Sequence, residues 1–182
     1  MLTELQKRKL TRFFNLFDAN GDGVITKQDP EQVARNLAEL QGMKPGSPEY
    51  ETFHSGFMLY QNDYIQAMDL DESGRVTLEE WLAYHDEMLQ SEERFQGTAL
   101  MTIQVMFQLM DQNGDEKITL EEYGEWMRSF RIGEQSITEE VFQKLDLNGN
   151  GTLSQEELLQ LTREFFYSDD PDARGNWALG PF

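Results

Sequence analysis

Asp146, Asn148, Asn150 and Glu157 place side-chain oxygens at positions 1, 3, 5 and 12 of the stretch DLNGNGTLSQEE, residues 146–157. Short Asp and Asn side chains hold hard oxygen donors close to the backbone, and the longer Glu can reach back with both of its oxygens. Gly151 at position 6 permits the left-handed turn that carries the chain around a centre. Thr152 at position 7 would offer its backbone carbonyl, and Ser154 at position 9 would act directly or through water. Such a set suits capture of a hard divalent cation, which takes six to eight oxygens in a flexible cage. Two Asn-Gly steps also give the stretch the look of a β-hairpin. A hairpin, however, has no use for an acid at both ends.

The same arrangement recurs three times. DANGDGVITKQD (18–29) carries Asp18, Asn20, Asp22, the Val24 carbonyl, Thr26 and Asp29. DLDESGRVTLEE (69–80) carries Asp69, Asp71, Ser73, the Arg75 carbonyl, Thr77 and Glu80. DQNGDEKITLEE (111–122) carries Asp111, Asn113, Asp115, the Lys117 carbonyl, Thr119 and Glu122. This is the ligand schedule of an EF-hand calcium loop. The four are not equal. Loop 2 follows the pattern throughout. Loop 1 ends in Asp29, one methylene shorter than Glu, so single-oxygen binding, six-coordination and Mg²⁺ tolerance are expected there. Loop 3 has Glu116 where Gly is expected, at a strain of roughly 1–2 kcal/mol, which predicts weakened rather than abolished binding. Loop 4 has only two carboxylates among its direct ligands, so Coulomb attraction for the ion is smaller.

Helices must present these loops. Phe14, Ile65, Phe107 and Phe142 lie four residues before the loops, and Phe17, Met68, Met110 and Leu145 immediately before them. That spacing puts both on one face of an entering helix. In the first helix Leu10, Phe13, Phe14 and Phe17 form a stripe, with Lys7, Arg8 and Arg12 outside it. Apolar residues resume after each loop at Val33 and Leu37, at Trp81, Leu82 and Tyr84, at Tyr123, Trp126 and Met127, and at Leu158, Leu159 and Leu161. Each unit reads as helix, polar loop, helix. Position 8 is Ile25, Val76, Ile118 or Leu153, an apolar residue suited to a short β contact between paired loops. Ser47 with Pro48 predicts the start of a helix, and Ser136 with Glu139 a capping box at the seventh.

The expected organisation is an N-terminal pair over 1–92, a C-terminal pair over 93–167 and a tail over 168–182, with the boundary between halves near Ser91–Gly97. No long polar rod joins the halves, which favours close packing over a dumbbell. In the tail, Trp177, Leu179 and Phe182 either fold over an apolar cleft or lie in solvent, as the Pro, Gly and charge content would allow.

Composition narrows the partners. The 182 residues include 12 Phe, 6 Tyr and 3 Trp, enough to build a core. A formal net charge of −19 repels nucleic acid and anionic lipid and attracts cations. With no Cys, thiolate metal sites and disulfides are excluded. The first residues, MLTELQKRKL, lack an apolar signal core, residue 2 is Leu rather than Gly, and no apolar run reaches the length of a membrane span. A soluble intracellular protein is expected. No P-loop, GxSxG or HExxH pattern occurs, so no enzyme activity is expected.

These residues resemble the invertebrate sarcoplasmic calcium-binding proteins and their relative calexcitin. The resemblance spans essentially the whole chain. It rests on the four loops, the long spacing between loops 1 and 2, Asp29 closing the first loop, and the ending REFFYSDDPDARGNWALGPF. It implies an all-α EF-hand fold of four helix-loop-helix units in two compact, packed lobes. It also implies a cytosolic Ca²⁺ buffer with some sites shared with Mg²⁺, and a monomer is expected. Members often have silent loops, whereas here all four keep their end ligands. Calexcitin-like members are signalling proteins, so a sensor that exposes an apolar surface to a target protein is the alternative. Nine Met are present but scattered, with Met101, Met106 and Met110 before loop 3. A remoter alternative is kinship with luciferin-binding photoproteins. The chain has only His54 and His85 to serve such a site, and His85 is expected to be packed or partly exposed.

Overall fold

A computed structural model describes residues 1–130 and 135–180. Its helices are α1 (Glu4–Phe17), α2 (Gln28–Leu40), α3 (Pro48–Met68), α4 (Leu78–Leu89), α5 (Glu92–Met110), α6 (Leu120–Ser129), α7 (Gln135–Leu145) and α8 (Gln155–Tyr167). Each odd-numbered helix leads into one of the four polar loops and each even-numbered helix leaves it. The fold is therefore all-α, four helix-loop-helix units in series. The only extended pieces among the described residues lie inside the loops. β1 (Val24–Ile25) pairs antiparallel with β2 (Val76–Thr77), in the register Ile25 opposite Val76. Ile118 and Leu153 exchange backbone hydrogen bonds of 2.9 and 2.8 Å. All four position-8 side chains are fully buried, so the hairpin-like alternation links two loops rather than closing one.

Leu10–His85 forms one compact unit. Leu10, Phe14, Val33, Leu37, Ile65 and Met68 are buried in its core, and α2 packs on α3. Between those helices Ser47 accepts from the Tyr50 N–H at 3.2 Å, with Pro48 in the first turn. The cap starts α3 where Ser47 and Pro48 predict a helix start. Trp81 anchors the unit. Its Nε1–H donates to the Leu10 carbonyl at 3.0 Å, and the rings of Phe13 and Phe14 meet it edge-on at 5.1 and 5.8 Å.

His85 lies beside this cluster, fully buried. Its Nδ1–H donates to the Trp81 carbonyl at 2.7 Å, and Nε2 lies 3.3 Å from the Tyr64 hydroxyl. Burial pushes its pKa from 6.5 down to about 4, against a smaller upward pull from the bond to Trp81. The folded protein therefore holds His85 neutral where the unfolded chain takes up a proton. Stability from this residue is complete above pH 6.5 and is lost as pH falls toward 4, by about 3 kcal/mol in all. Urea denaturation between pH 7 and pH 5, with Ca²⁺ held in excess, should show stability falling by up to about 1.4 kcal/mol per pH unit. His85→Gln should flatten that slope.

Met1–Lys9 together with Asp86–Phe182 forms the other compact unit. Phe95, Ile103, Phe107, Met110, Tyr123, Val141, Phe142, Leu145, Leu161 and Phe165 are buried in it. Here α5 packs on α8, and α6 on α7. The first nine residues are held to the end of α8. Gln6 Nε2–H donates to the Phe166 carbonyl at 2.9 Å, and Lys9 Nζ donates to the carbonyls of Ser168 at 2.7 Å and Glu164 at 3.4 Å. Lys9 is fully buried. Burial lowers its pKa to about 8, although Asp169 pulls it upward. A cation at the C-terminal end of a helix suits both the loose carbonyls and the helix dipole.

After α8 the chain turns back. A 3₁₀ turn, Arg174–Trp177, packs on both α7 and α8. Asn176 is fully buried and donates to the carbonyls of Asp170 (2.9 Å) and Pro171 (3.0 Å). The turn thus holds this part of the tail against α7 and α8. The side chain that would make the expected capping box at Ser136, and Phe182, lie outside what the structure describes.

Candidate metal centres

Each loop is wound by its own acceptors. The Asp at position 1 takes backbone N–H groups from further along the loop on both oxygens. Asp18 accepts from Gly21 at 2.8 Å and Gly23 at 2.8 Å. Asp69 accepts from Ser73 at 3.0 Å and Gly74 at 2.8 Å. Asp111 accepts from Gly114 at 2.8 Å and Glu116 at 3.0 Å. Asp146 accepts from Gly149 at 2.7 Å and Gly151 at 2.7 Å. Position 3 accepts from the N–H of position 5: Asn20 from Asp22, Asp71 from Ser73, Asn113 from Asp115 and Asn148 from Asn150. Asp22, Asp115 and Asn150 at position 5 accept in turn from Val24, Lys117 and Thr152, while the Ser73 hydroxyl donates to the Arg75 carbonyl. The side chains at positions 1, 3 and 5 are thereby held in place by the backbone of their own loop.

The last residue closes each loop. Glu80 Oε2 accepts from the Thr77 N–H at 2.9 Å and the Thr77 hydroxyl at 2.7 Å, and Oε1 accepts from the Leu70 N–H at 3.1 Å. Glu122 repeats this with Thr119 and Gln112, and Glu157 with Ser154 and Leu147. Thr119 with Glu122, and Ser154 with Glu157, are full capping boxes. One glutamate thus both starts the outgoing helix and faces the loop. Asp29 differs in reach. Its Oδ2 still accepts from the Thr26 N–H at 2.8 Å, but its Oδ1 meets the Asn20 N–H at 3.4 Å, and α2 starts one loop position later than the other outgoing helices. Asp29 is buried.

Two residues in every loop adopt positive φ, at positions 4 and 6. In loops 1 and 4 both are Gly. Loop 3 pairs Gly114 with Glu116 at φ 62°, and loop 2 pairs Glu72 at φ 56° with Gly74. The strain expected at Glu116 is present. Glu72 carries the same strain at position 4, which a reading of position 6 alone does not reveal. The signal was available, since Gly21, Gly114 and Gly149 stand at position 4 in the other loops. Glu116→Gly should stabilise the protein by about 1 kcal/mol, less what the looser unfolded chain gives back. Thermal denaturation with Ca²⁺ present measures it.

The donor chemistry fits a hard divalent cation. Among the described residues, Asp69, Asp71 and Glu80 are the one set of three acidic side chains whose ligand oxygens all lie within 4.8 Å of one another. The hydroxyl and N–H of Ser73 hold Asp71 below the usual carboxylate range, and the N–H and hydroxyl of Thr77 do so for Glu80. Both are fully ionised at neutral pH, and their mutual repulsion is relieved by a cation between them.

A sequence model of the EF-hand domain pair matches residues 100–163, and one of the EF hand matches 11–29 and 62–83. Calerythrin of Saccharopolyspora erythraea is 25% identical over 92% of this chain and 95% of that protein. Among solved structures, the calcium-loaded apo form of the coelenterazine-binding protein from Renilla muelleri superposes with TM-score 0.78 at 21% identity, covering 100% of both chains. A sarcoplasmic calcium-binding protein from amphioxus does so with TM-score 0.73 at 22% identity, again over 100% of both.

Proposed function

We propose that this chain, which belongs to the EF-hand calcium-binding family, serves as a cytoplasmic, monomeric Ca²⁺ buffer without catalytic activity. All four loops are assigned as Ca²⁺ sites, and loop 1 is assigned Mg²⁺ as well because Asp29 favours a smaller coordination number. In each loop the Asp, Asn and Ser side chains at positions 1, 3 and 5, one backbone carbonyl and the final carboxylate supply the oxygens. The metal itself supplies only charge neutralisation among them. No helix among the described residues is long and apolar enough to cross a membrane.

The observation that carries the buffer assignment is the tail. A sensor opens a helix pair and offers a flexible, Met-rich groove to its target. Here the turn Arg174–Trp177 sits on α7 and α8, and Met68, Met88, Met110 and Met127 are buried. The luciferin alternative finds less support, since His85 is fully buried and both of its ring nitrogens face partners.

Dye binding to exposed apolar surface tests this. An anilinonaphthalene sulfonate titration should show little or no rise in fluorescence when Ca²⁺ is added to the whole protein. A several-fold rise at saturating Ca²⁺ would make it a sensor. Parallel calorimetry with millimolar Mg²⁺ should weaken one Ca²⁺ event selectively, and Asp29→Glu should reduce that competition.

A further inference from the structure

Loop 4 brings the fewest charges to its ion, yet a further piece of chain packs on both of its helices. The turn Arg174–Trp177 touches both sides of the loop. On the entering side, Lys144 Nζ lies 4.2 Å from the centroid of the Trp177 ring, and Arg174 donates to the backbone carbonyl of Asp146, the position-1 ligand, at 3.5 Å. On the leaving side, the Gly175 N–H donates to Glu164 at 3.0 Å. A Cβ at Gly175 would stand 2.4 Å from the Leu161 carbonyl oxygen and 2.7 Å from the Phe165 nitrogen, both backbone atoms. The turn is pressed so closely on α8 that only glycine fits. Just behind it Asn176, fully buried, folds the 168–173 segment back onto itself through the carbonyls of Asp170 and Pro171.

We propose that Arg174–Trp177 positions the loop 4 metal site, a clamp from α7 to α8 that fixes their mutual angle and so raises the site's Ca²⁺ affinity. This rests on the assignment of loop 4 as a Ca²⁺ site. Binding draws Asp146 at the end of α7 and Glu157 at the start of α8 onto one ion, so the angle between these helices decides how well both reach it. Fixing that angle beforehand removes reorganisation from the binding step. A loop whose positions 3 and 5 are neutral Asn148 and Asn150 has less Coulomb attraction to overcome a poor starting geometry. Groups that only support metal ligands commonly change affinity by about 10–100-fold.

The test compares the whole protein with Gly175→Ala, Lys144→Ala, Lys144→Arg and Glu157→Gln by Ca²⁺ calorimetry, with tryptic cleavage after Arg174 reporting release of the turn. Glu157→Gln should remove one binding event and so identify loop 4. Gly175→Ala should speed cleavage after Arg174 and weaken that same event about tenfold, leaving the events of loops 1 and 2 at wild-type affinity. Lys144→Ala, at a half-exposed position, should give a smaller loss that Lys144→Arg restores through its own cation–π contact. Combining Gly175→Ala with Glu157→Gln should reproduce the Glu157→Gln titration. If Glu157→Gln leaves the stoichiometry intact, the assignment of loop 4 fails. If Glu157→Gln removes an event while Gly175→Ala speeds cleavage without weakening it, the clamp fails. Unchanged cleavage in Gly175→Ala also overturns the clamp, because the turn is then not held as the geometry requires.

Discussion

Replacing Glu80 by Gln should delete one Ca²⁺-binding event and leave the others in place. Glu80 is the sole residue of loop 2 that meets both ends of the loop, with one oxygen on the Leu70 N–H and the other on Thr77. Its charge is one of the three that converge within 4.8 Å. The amide keeps the size and can keep one acceptor, so helix α4 still starts, but it loses the second anionic oxygen. The loss should exceed about 100-fold, or about 2.7 kcal/mol, since groups merely supporting a ligand already cost up to that much. Calorimetry reads this as a stoichiometry lower by one. An unchanged count would remove Glu80, and with it the loop 2 assignment.

Stripping the metal should cost still more. Without cations, each loop gathers like charges at short range in a chain of formal charge −19. A ligand present at one hundred times its dissociation constant stabilises the folded state by about 2.7 kcal/mol per site. Two filled sites alone give about 5 kcal/mol, and about 2–4 °C per kcal/mol for a chain of this size makes a fall in Tm of more than about 10 °C. Calorimetric melting in excess chelator, against millimolar Ca²⁺, measures it. Added salt should narrow the gap by screening the carboxylates. A Tm that ignores chelator would mean that the loops bind no ion of consequence.

What could be read from the sequence was what depends on local spacing. The four loops, their flanking helices, the inward position-8 residues and the Ser47 cap all follow from side-chain type over a few neighbouring positions. Glu72 shows the limit of that approach. Its left-handed backbone is demanded by the loop's winding, and only the three glycines at the matching position betray it. Lys9 was invisible for a different reason. Leu5 and Lys9 share a helical face, but the carbonyls that accept from Lys9 belong to residues 155 and 159 positions away. Gly175 likewise reads as ordinary tail composition until α8 lies against it and leaves no room for a methyl group.

The tie between the first nine residues and the end of α8 has a consequence for how the chain matures on the ribosome. Leu10–His85 forms a compact unit from one continuous stretch of chain, so its parts emerge close together. Met1–Lys9 must wait, because the acceptors for Lys9 lie 155 and 159 positions further along the chain. During that interval the amphipathic start of the chain waits with its apolar side uncovered, and nascent-chain chaperones would have their longest access there. Completion of the second unit should then register as a late, discrete loss of protease sensitivity near the amino terminus.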